Sequence, residues 1–197
     1  GTQSERIADV ITREVIDRAT HLADLHCGDG NESLRPYSYW MISGNAALDE
    51  ASKGLVLAFG LDHVVIDRDR PTDKAKSLYT DATAILRGKP AFTAESGGMG
   101  LTDEASVAAQ ERGVMSLLAH LGILDAPSAR VDRPVWIDRA EVLRATKTGV
   151  WQAAVEKMQS VATGTLLGRV HDPFGAVIEE VWRSGGNSRG AMILFFS

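Results

Sequence analysis

A histidine with a carboxylate two residues before it, Asp24-Leu25-His26, closes an apolar approach and runs into Cys27-Gly28-Asp29-Gly30. Further along, Ala94-Glu95 opens into Ser96-Gly97-Gly98-Met99-Gly100. An imidazole oriented by a nearby carboxylate is suited to holding a metal ion. A glutamate at the mouth of a glycine-rich turn sits where backbone can approach a ligand closely, and it can move a proton there. Together they are a metal ligand and a general base, two of the parts a zinc hydrolase needs. A complete catalytic zinc site takes three protein ligands and an open position.

The spacing leaves a second reading open for each residue. If residues 21–26 form a strand, Asp24 and His26 leave the same face, and the strand end is where open α/β sheets place ligands. The same pair also suits a half-buried histidine hydrogen-bonded within the fold. Glu95 reads equally as a carboxylate capping the turn that follows it. The other histidines have no metal-like neighbours. His120 lies near a helix C-terminus, where the dipole favours positive charge. His63 opens a strand, His21 precedes one, and His171-Asp172-Pro173 reads as a surface turn. Cys27 has no partner constellation beyond His26. The run Asp67-Arg68-Asp69-Arg70 reads as a solvated loop with internal ion pairs. Glu156-Lys157-Met158 only partly resembles a biotin-carrying hairpin, because Glu156 stands where that signal has a first Met.

Composition narrows the classes. The chain has 197 residues, 44 % of them hydrophobic, with a formal net charge of −5. The acidic balance argues against a nucleic-acid partner. No apolar run approaches the roughly 20 residues that span a bilayer, so no membrane partner is expected. One cysteine cannot close an internal disulfide, and the sequence opens without a basic, apolar signal segment, which predicts a cytoplasmic protein. Gly1 is not an initiator Met, and Thr2 with Glu5 has capping-box spacing. A helix so close to the start leads to the expectation that further sequence lies upstream.

Apolar periodicity predicts helices over residues 2–18, 48–59, 76–86 and 103–121, with Val107, Val114, Leu117, Leu118 and Leu121 on the buried side of the last. Strands are predicted over 21–26, 37–41, 63–67 and 90–94, the last delivering Glu95, and 27–36 reads as loop. Strands alternating with helices predict an α/β layer fold with a mostly parallel sheet over residues 1–125. From Asp125-Ala126-Pro127-Ser128 onward the pattern becomes short apolar runs bounded by glycine, at 135–137, 142–145, 149–151, 166–170, 176–181 and 191–196. That predicts a small all-β, barrel-like module over residues 126–197, without a catalytic residue of its own.

In order along the chain, these segments resemble the succinylglutamate desuccinylase/aspartoacylase family, relatives of the zinc carboxypeptidases. Ser4-Glu5-Arg6-Ile7-Ala8 resembles that family's helix start, Asp24-Leu25-His26 its third zinc-ligand motif, and Arg35-Pro36-Tyr37 a segment after it. Glu95-Ser96-Gly97-Gly98 resembles the catalytic glutamate region, and Glu111-Arg112-Gly113-Val114 the helix beyond it. Leu167-Gly168-Arg169-Val170 with Asp172-Pro173-Phe174-Gly175 resembles the C-terminal β module. The family's His-x-x-Glu zinc motif and its Asn-Arg pair find no counterpart and would lie before Gly1. Met158-Gln159 stands where relatives often have Gly-Asp.

The resemblance implies a zinc-carboxypeptidase-like layered α/β domain, apparently lacking its N-terminal part, followed by the β module. It implies zinc (Zn2+) as cofactor, His26 as one metal ligand and Glu95 as the catalytic base. The implied substrate is a small-molecule N-acyl amino acid or similar amide, and a homo-oligomer is compatible with it. The competing expectation is a non-catalytic fragment or degenerate relative that binds or oligomerises without turnover. Because one imidazole holds metal weakly, these residues alone are expected to bind zinc poorly and to lack amidase activity. Asp24, Asp29 and Glu32 are the other groups to test as ligands.

Overall fold

The structure, a computed structural model, describes residues 1–70, 72–139, 141–184 and 195–196. By contacts the chain divides into two units, one of residues 1–27, 36–96 and 102–139, the other of 28–35, 97–101 and 140–197.

The first unit is a mixed α/β layer. Its helices are α1 (Gln3–Ile11), α2 (Ala46–Phe59), α3 (Thr80–Ile85) and α4 (Glu104–His120). Its strands are β1 (Leu22–His26), β3 (Tyr37–Met41), β4 (His63–Asp67), β5 (Ala91–Glu95) and β6 (Val135–Ile137). They form one sheet in the order β1-β5-β3-β4-β6, parallel at every pairing except β3 with β5. Period-two alternation sends Val64, Phe92 and Ala94 to one face, where Leu55, Val56, Ala58 and Phe59 of α2 and Leu117 of α4 cover them. Met41 and Ala91 go to the other face and pack against Ala82, Ala84 and Ile85 of α3 and against Ile16. Gly113 lets α4 approach α2 closely, since a Cβ there would meet the Phe59 ring at 2.5 Å.

Caps set the helix starts. Thr2 and Glu5 form the expected capping box. The Asn45 side chain accepts from the Leu48 amide, and that of Asp103 from the Ser106 amide. Gly60, at φ 97°, closes α2 in the left-handed conformation that glycine adopts freely. Several sequence expectations need correction. The first helix is α-helical only to Ile11 and then makes a π-helical turn over Thr12–Ile16, which buries Ile16. The helix expected over 76–86 is the short α3, because Ser77 and Tyr79 are extended and a separate 3₁₀ turn occupies Lys74–Lys76. Val107 is exposed, since the buried stripe of α4 runs through Gly113, Ser116 and Leu117. Val135–Ile137, grouped by its pattern with the later apolar runs, pairs in parallel with β4.

The second unit is antiparallel. Strands β7 (Val150–Ala153), β8 (Leu166–His171) and β9 (Val177–Trp182) form a three-stranded sheet in that order. Val161 and Leu167, with Trp151 and Val155, make its small core. A two-stranded pairing joins β2 (Glu32–Ser33) to β10 (Phe195–Phe196). The run at 142–145 forms no strand, and Val142 and Leu143 are exposed. Most of the run at 191–196 lies outside the described residues.

Candidate functional site

The strand register brings His26 and Glu95 together. Strands β1 and β5 run in parallel, with Asp24 opposite Thr93 and His26 opposite Glu95. Directly opposed residues share a face, so Asp24, His26, Thr93 and Glu95 project to the side covered by α3. Across the antiparallel β3–β5 pairing, Tyr37 stands opposite Glu95 and Tyr39 opposite Thr93. The C-terminal ends of β1 and β5 thus meet the start of β3 in one polar patch.

Backbone and side-chain bonds fix the end of β1. The His26 carbonyl accepts the Ser96 amide at 3.0 Å and the Gln110 Nε2 amide at 2.9 Å. His26 Nε2 lies 3.1 Å from Asp24 Oδ1, and the imidazole is 49 % exposed. With Nε2 held by the carboxylate, Nδ1 is the nitrogen open to a metal or a proton acceptor. Burial is the largest single influence on the His26 pKa and lowers it. The Asp24 hydrogen bond and the charges of Asp24, Glu95 and Asp81 outweigh burial, so the pKa is raised. Asp81, on α3, is 1 % exposed, and its Oδ1 accepts the Ala82 amide at 2.6 Å.

The polar patch continues along β3. The Tyr37 and Tyr39 hydroxyls are 3.1 Å apart, with the rings edge to face. Burial pushes the Tyr39 phenol pKa up, helped by Glu95 and Asp67 and opposed by the Tyr37 hydrogen bond and Arg70. Arg70 is ion-paired through Nε to Asp67, with side chains only 13 % and 16 % exposed. Its guanidinium carbon lies 3.6 Å from the Tyr79 ring centroid and 5.9 Å from that of Tyr39. The solvated loop expected at 67–70 is corrected at both its ends. Arg68 and Asp69, between them, are exposed, and Arg68 reaches Asp138 at 3.2 Å. The sequence signal for Arg70 was the pair of tyrosines able to stack on it, which charge patterning by itself ignores.

The loops after His26 and Glu95 belong to the second unit and bond to each other. The Gly28 amide donates to the Gly97 carbonyl at 3.0 Å, and the Met99 amide to the Glu32 carbonyl at 2.8 Å. The Glu32 carboxylate accepts the Asp29 amide at 3.0 Å, so it is engaged within its own loop. Cys27 is a free, exposed thiol. Among the remaining histidines, His63 Nδ1 bonds Asp62 at 2.8 Å, His21 Nδ1 bonds Thr20 at 3.0 Å, and His171 Nδ1 bonds the Gly175 carbonyl at 3.1 Å. His120 ends α4, as its spacing predicts.

Among the described residues no group of three or more His, Cys, Asp or Glu side chains gathers to hold a metal. His26 with Asp24 behind it fits one position of a zinc site, and the described residues fill no more. None of the described helices is long and apolar enough to cross a membrane.

No family model matches the chain. It is 25 % identical over 176 residues to the N-alpha-acetyl-L-2,4-diaminobutyric acid deacetylase of Halomonas elongata, over 87 % of this chain and 50 % of that protein. A succinylglutamate desuccinylase from Silicibacter sp. TM1040 superposes with a TM-score of 0.78 at 24 % identity, over 93 % of this chain and 56 % of that one. The ectoine utilization protein EutE from Ruegeria pomeroyi, in its apo form, gives 0.79 at 25 % identity, over 98 % and 60 %. A succinylglutamate desuccinylase/aspartoacylase from Rhodobacter sphaeroides gives 0.79 at 21 % identity, over 98 % and 64 %. The chain therefore spans about half the length of the curated relative it matches.

Proposed function

We propose that this chain, which has the fold of the succinylglutamate desuccinylase/aspartoacylase proteins, carries part of the active site of a zinc-dependent deacylase that cleaves the amide of an N-acyl amino acid. One observation carries the reading: His26 and Glu95 are register partners at the ends of neighbouring parallel strands. Its relatives include a deacetylase and desuccinylases, which favours linear amides as the substrate class.

In this reading each residue has a defined task. Asp24 holds the His26 imidazole through Nε2, which would leave Nδ1 as the metal ligand. Bound zinc supplies Lewis acidity toward the acyl oxygen and acidifies water. Glu95 takes a proton from the attacking water and delivers it to the departing amine nitrogen, so the carboxylate ends as it began. Ser96 and Gln110, bonded to the His26 carbonyl, keep the two strand ends in step.

The test uses the intact protein and two variants. Glu95→Gln keeps size and hydrogen bonding but removes the base. Metal content should persist while turnover of N-acetyl amino acids falls by about 10²–10⁴-fold. His26→Ala should lower zinc affinity and activity together with the fold retained. Near-normal turnover in Glu95→Gln would remove Glu95 from the chemistry. A wild-type protein that binds no zinc and hydrolyses no amide would favour a non-catalytic relative.

A further inference from the structure

The His26 carbonyl is held from two sides. The Ser96 amide donates to it at 3.0 Å, which continues the β1–β5 ladder one residue past Glu95. Gln110 Nε2, on α4, donates to it at 2.9 Å. A carbonyl can only accept, so chemistry fixes which end of the glutamine amide faces it. That leaves Gln110 Oε1 shielded from solvent and without a hydrogen-bond partner among the described residues. An unmet, shielded acceptor costs at least as much as one hydrogen bond gains. A methionine at 110 would avoid that cost, so stability does not account for the glutamine.

The same helix reaches the neighbouring strand end. Ser96, buried and next to Glu95, donates through Oγ to the Ser106 carbonyl at 3.4 Å. Ser106 and Gln110 are four residues apart, so they lie on one face of α4. Further along, the helix is fixed to the core. The Ser116 hydroxyl donates to the Ala58 carbonyl of α2 at 2.6 Å, and Leu117 is buried among the residues of α2 and the sheet. One face of an anchored helix therefore holds the backbone of His26 and the residue after Glu95. The imidazole is tied by one printed bond, to Asp24 on the same strand, so the ring goes where the end of β1 goes.

We infer that Gln110 is a positioning residue for the deacylase site: from α4 it fixes the backbone of His26, and so the placement of the imidazole relative to Glu95. The inference rests on the reading of His26 as a zinc ligand and Glu95 as the base. Gln110 contacts the main chain of His26, so it acts through His26 and not on a reacting atom.

Gln110→Met in the intact protein tests this, because it keeps the length of the side chain and removes both the donor and the unmet acceptor. The urea unfolding midpoint should stay at or above that of wild type. In metal-free protein the Ser96 amide should exchange with solvent about 10-fold faster, since the strand end opens more often without the second bond. Zinc titrated into the metal-free protein should bind about 10-fold more weakly. Gln110→Lys restores a donor of similar reach and should recover most of both losses. A midpoint that falls would make Gln110 an ordinary stabilising contact and overturn the inference. Unchanged amide exchange, zinc affinity equal to that of a zinc-binding wild type, or a lysine variant that recovers neither would overturn it too. A wild type that binds no zinc or cleaves no amide overturns the deacylase reading instead, and the exchange rate then decides by itself whether Gln110 holds the strand end.

Discussion

Replacing Gly98 by alanine should cost more stability than most single changes in this chain. An added Cβ would lie 2.4 Å from the Glu32 carbonyl oxygen and 3.4 Å from the Leu34 amide nitrogen. The first contact is about an ångström short of ordinary van der Waals separation. The obstacle is backbone, so no side chain can rotate away. The same carbonyl accepts the Met99 amide at 2.8 Å, and the Glu32 amide donates to the Asp29 carbonyl at 3.0 Å. Relief therefore moves a loop that is held at both ends. Overpacking costs about 1–3 kcal/mol. Losing the Met99 bond adds about 1 kcal/mol. The sum is about 3 kcal/mol, without any contribution from backbone strain at Gly98 itself. Gly30, in the loop after His26, is the control, because a Cβ there meets nothing within 4 Å. Gly30→Ala should be neutral, or stabilising by up to about 1 kcal/mol through the unfolded chain. Urea unfolding of both variants against wild type reads the difference directly. If Gly98→Ala unfolds at the wild-type midpoint, or Gly30→Ala loses as much as Gly98→Ala, the steric reasoning is refuted.

Asp24→Asn should bring the His26 pKa down, since it replaces a charged acceptor by a neutral one and so removes one of the charges that outweigh burial. The sign follows: the raised value stabilises the fold below the ordinary histidine pKa and that gain is lost as pH rises through the folded value, so the variant should lose acid-side stability, seen by NMR titration of the imidazole in metal-free protein. Tyr39, one of the three tyrosines, should ionise above the ordinary value of about 10. Its neutral form is favoured in the fold, so that contribution is intact below pH ~10 and is lost as pH rises toward the folded pKa. Ultraviolet difference titration should show a phase above that value which Tyr39→Phe lacks.

The sequence by itself determined the layered α/β character, most element positions, the family resemblance and the residues that could do chemistry. Helix and strand periods are local, and Asn45, Asp103 and Gly60 mark helix ends through bonds to close neighbours. The Asp-Leu-His motif and Glu95 were legible as types at strand ends for the same reason. Period two says which residues share a face but not which strand lies alongside. Only the tertiary structure inserted β5 between β1 and β3, and only that insertion sets His26 against Glu95 and Glu95 against Tyr37. It also moved Val135–Ile137 beside β4 and shortened the helix before β5 to α3. Arg70 is the plainest case. In sequence it ends a run of alternating charges, and its burial depends on Tyr79 and Tyr39, which reach it from other parts of the chain. Whether a charge is solvated is decided by what packs over it, and that packing is made by residues distant in sequence.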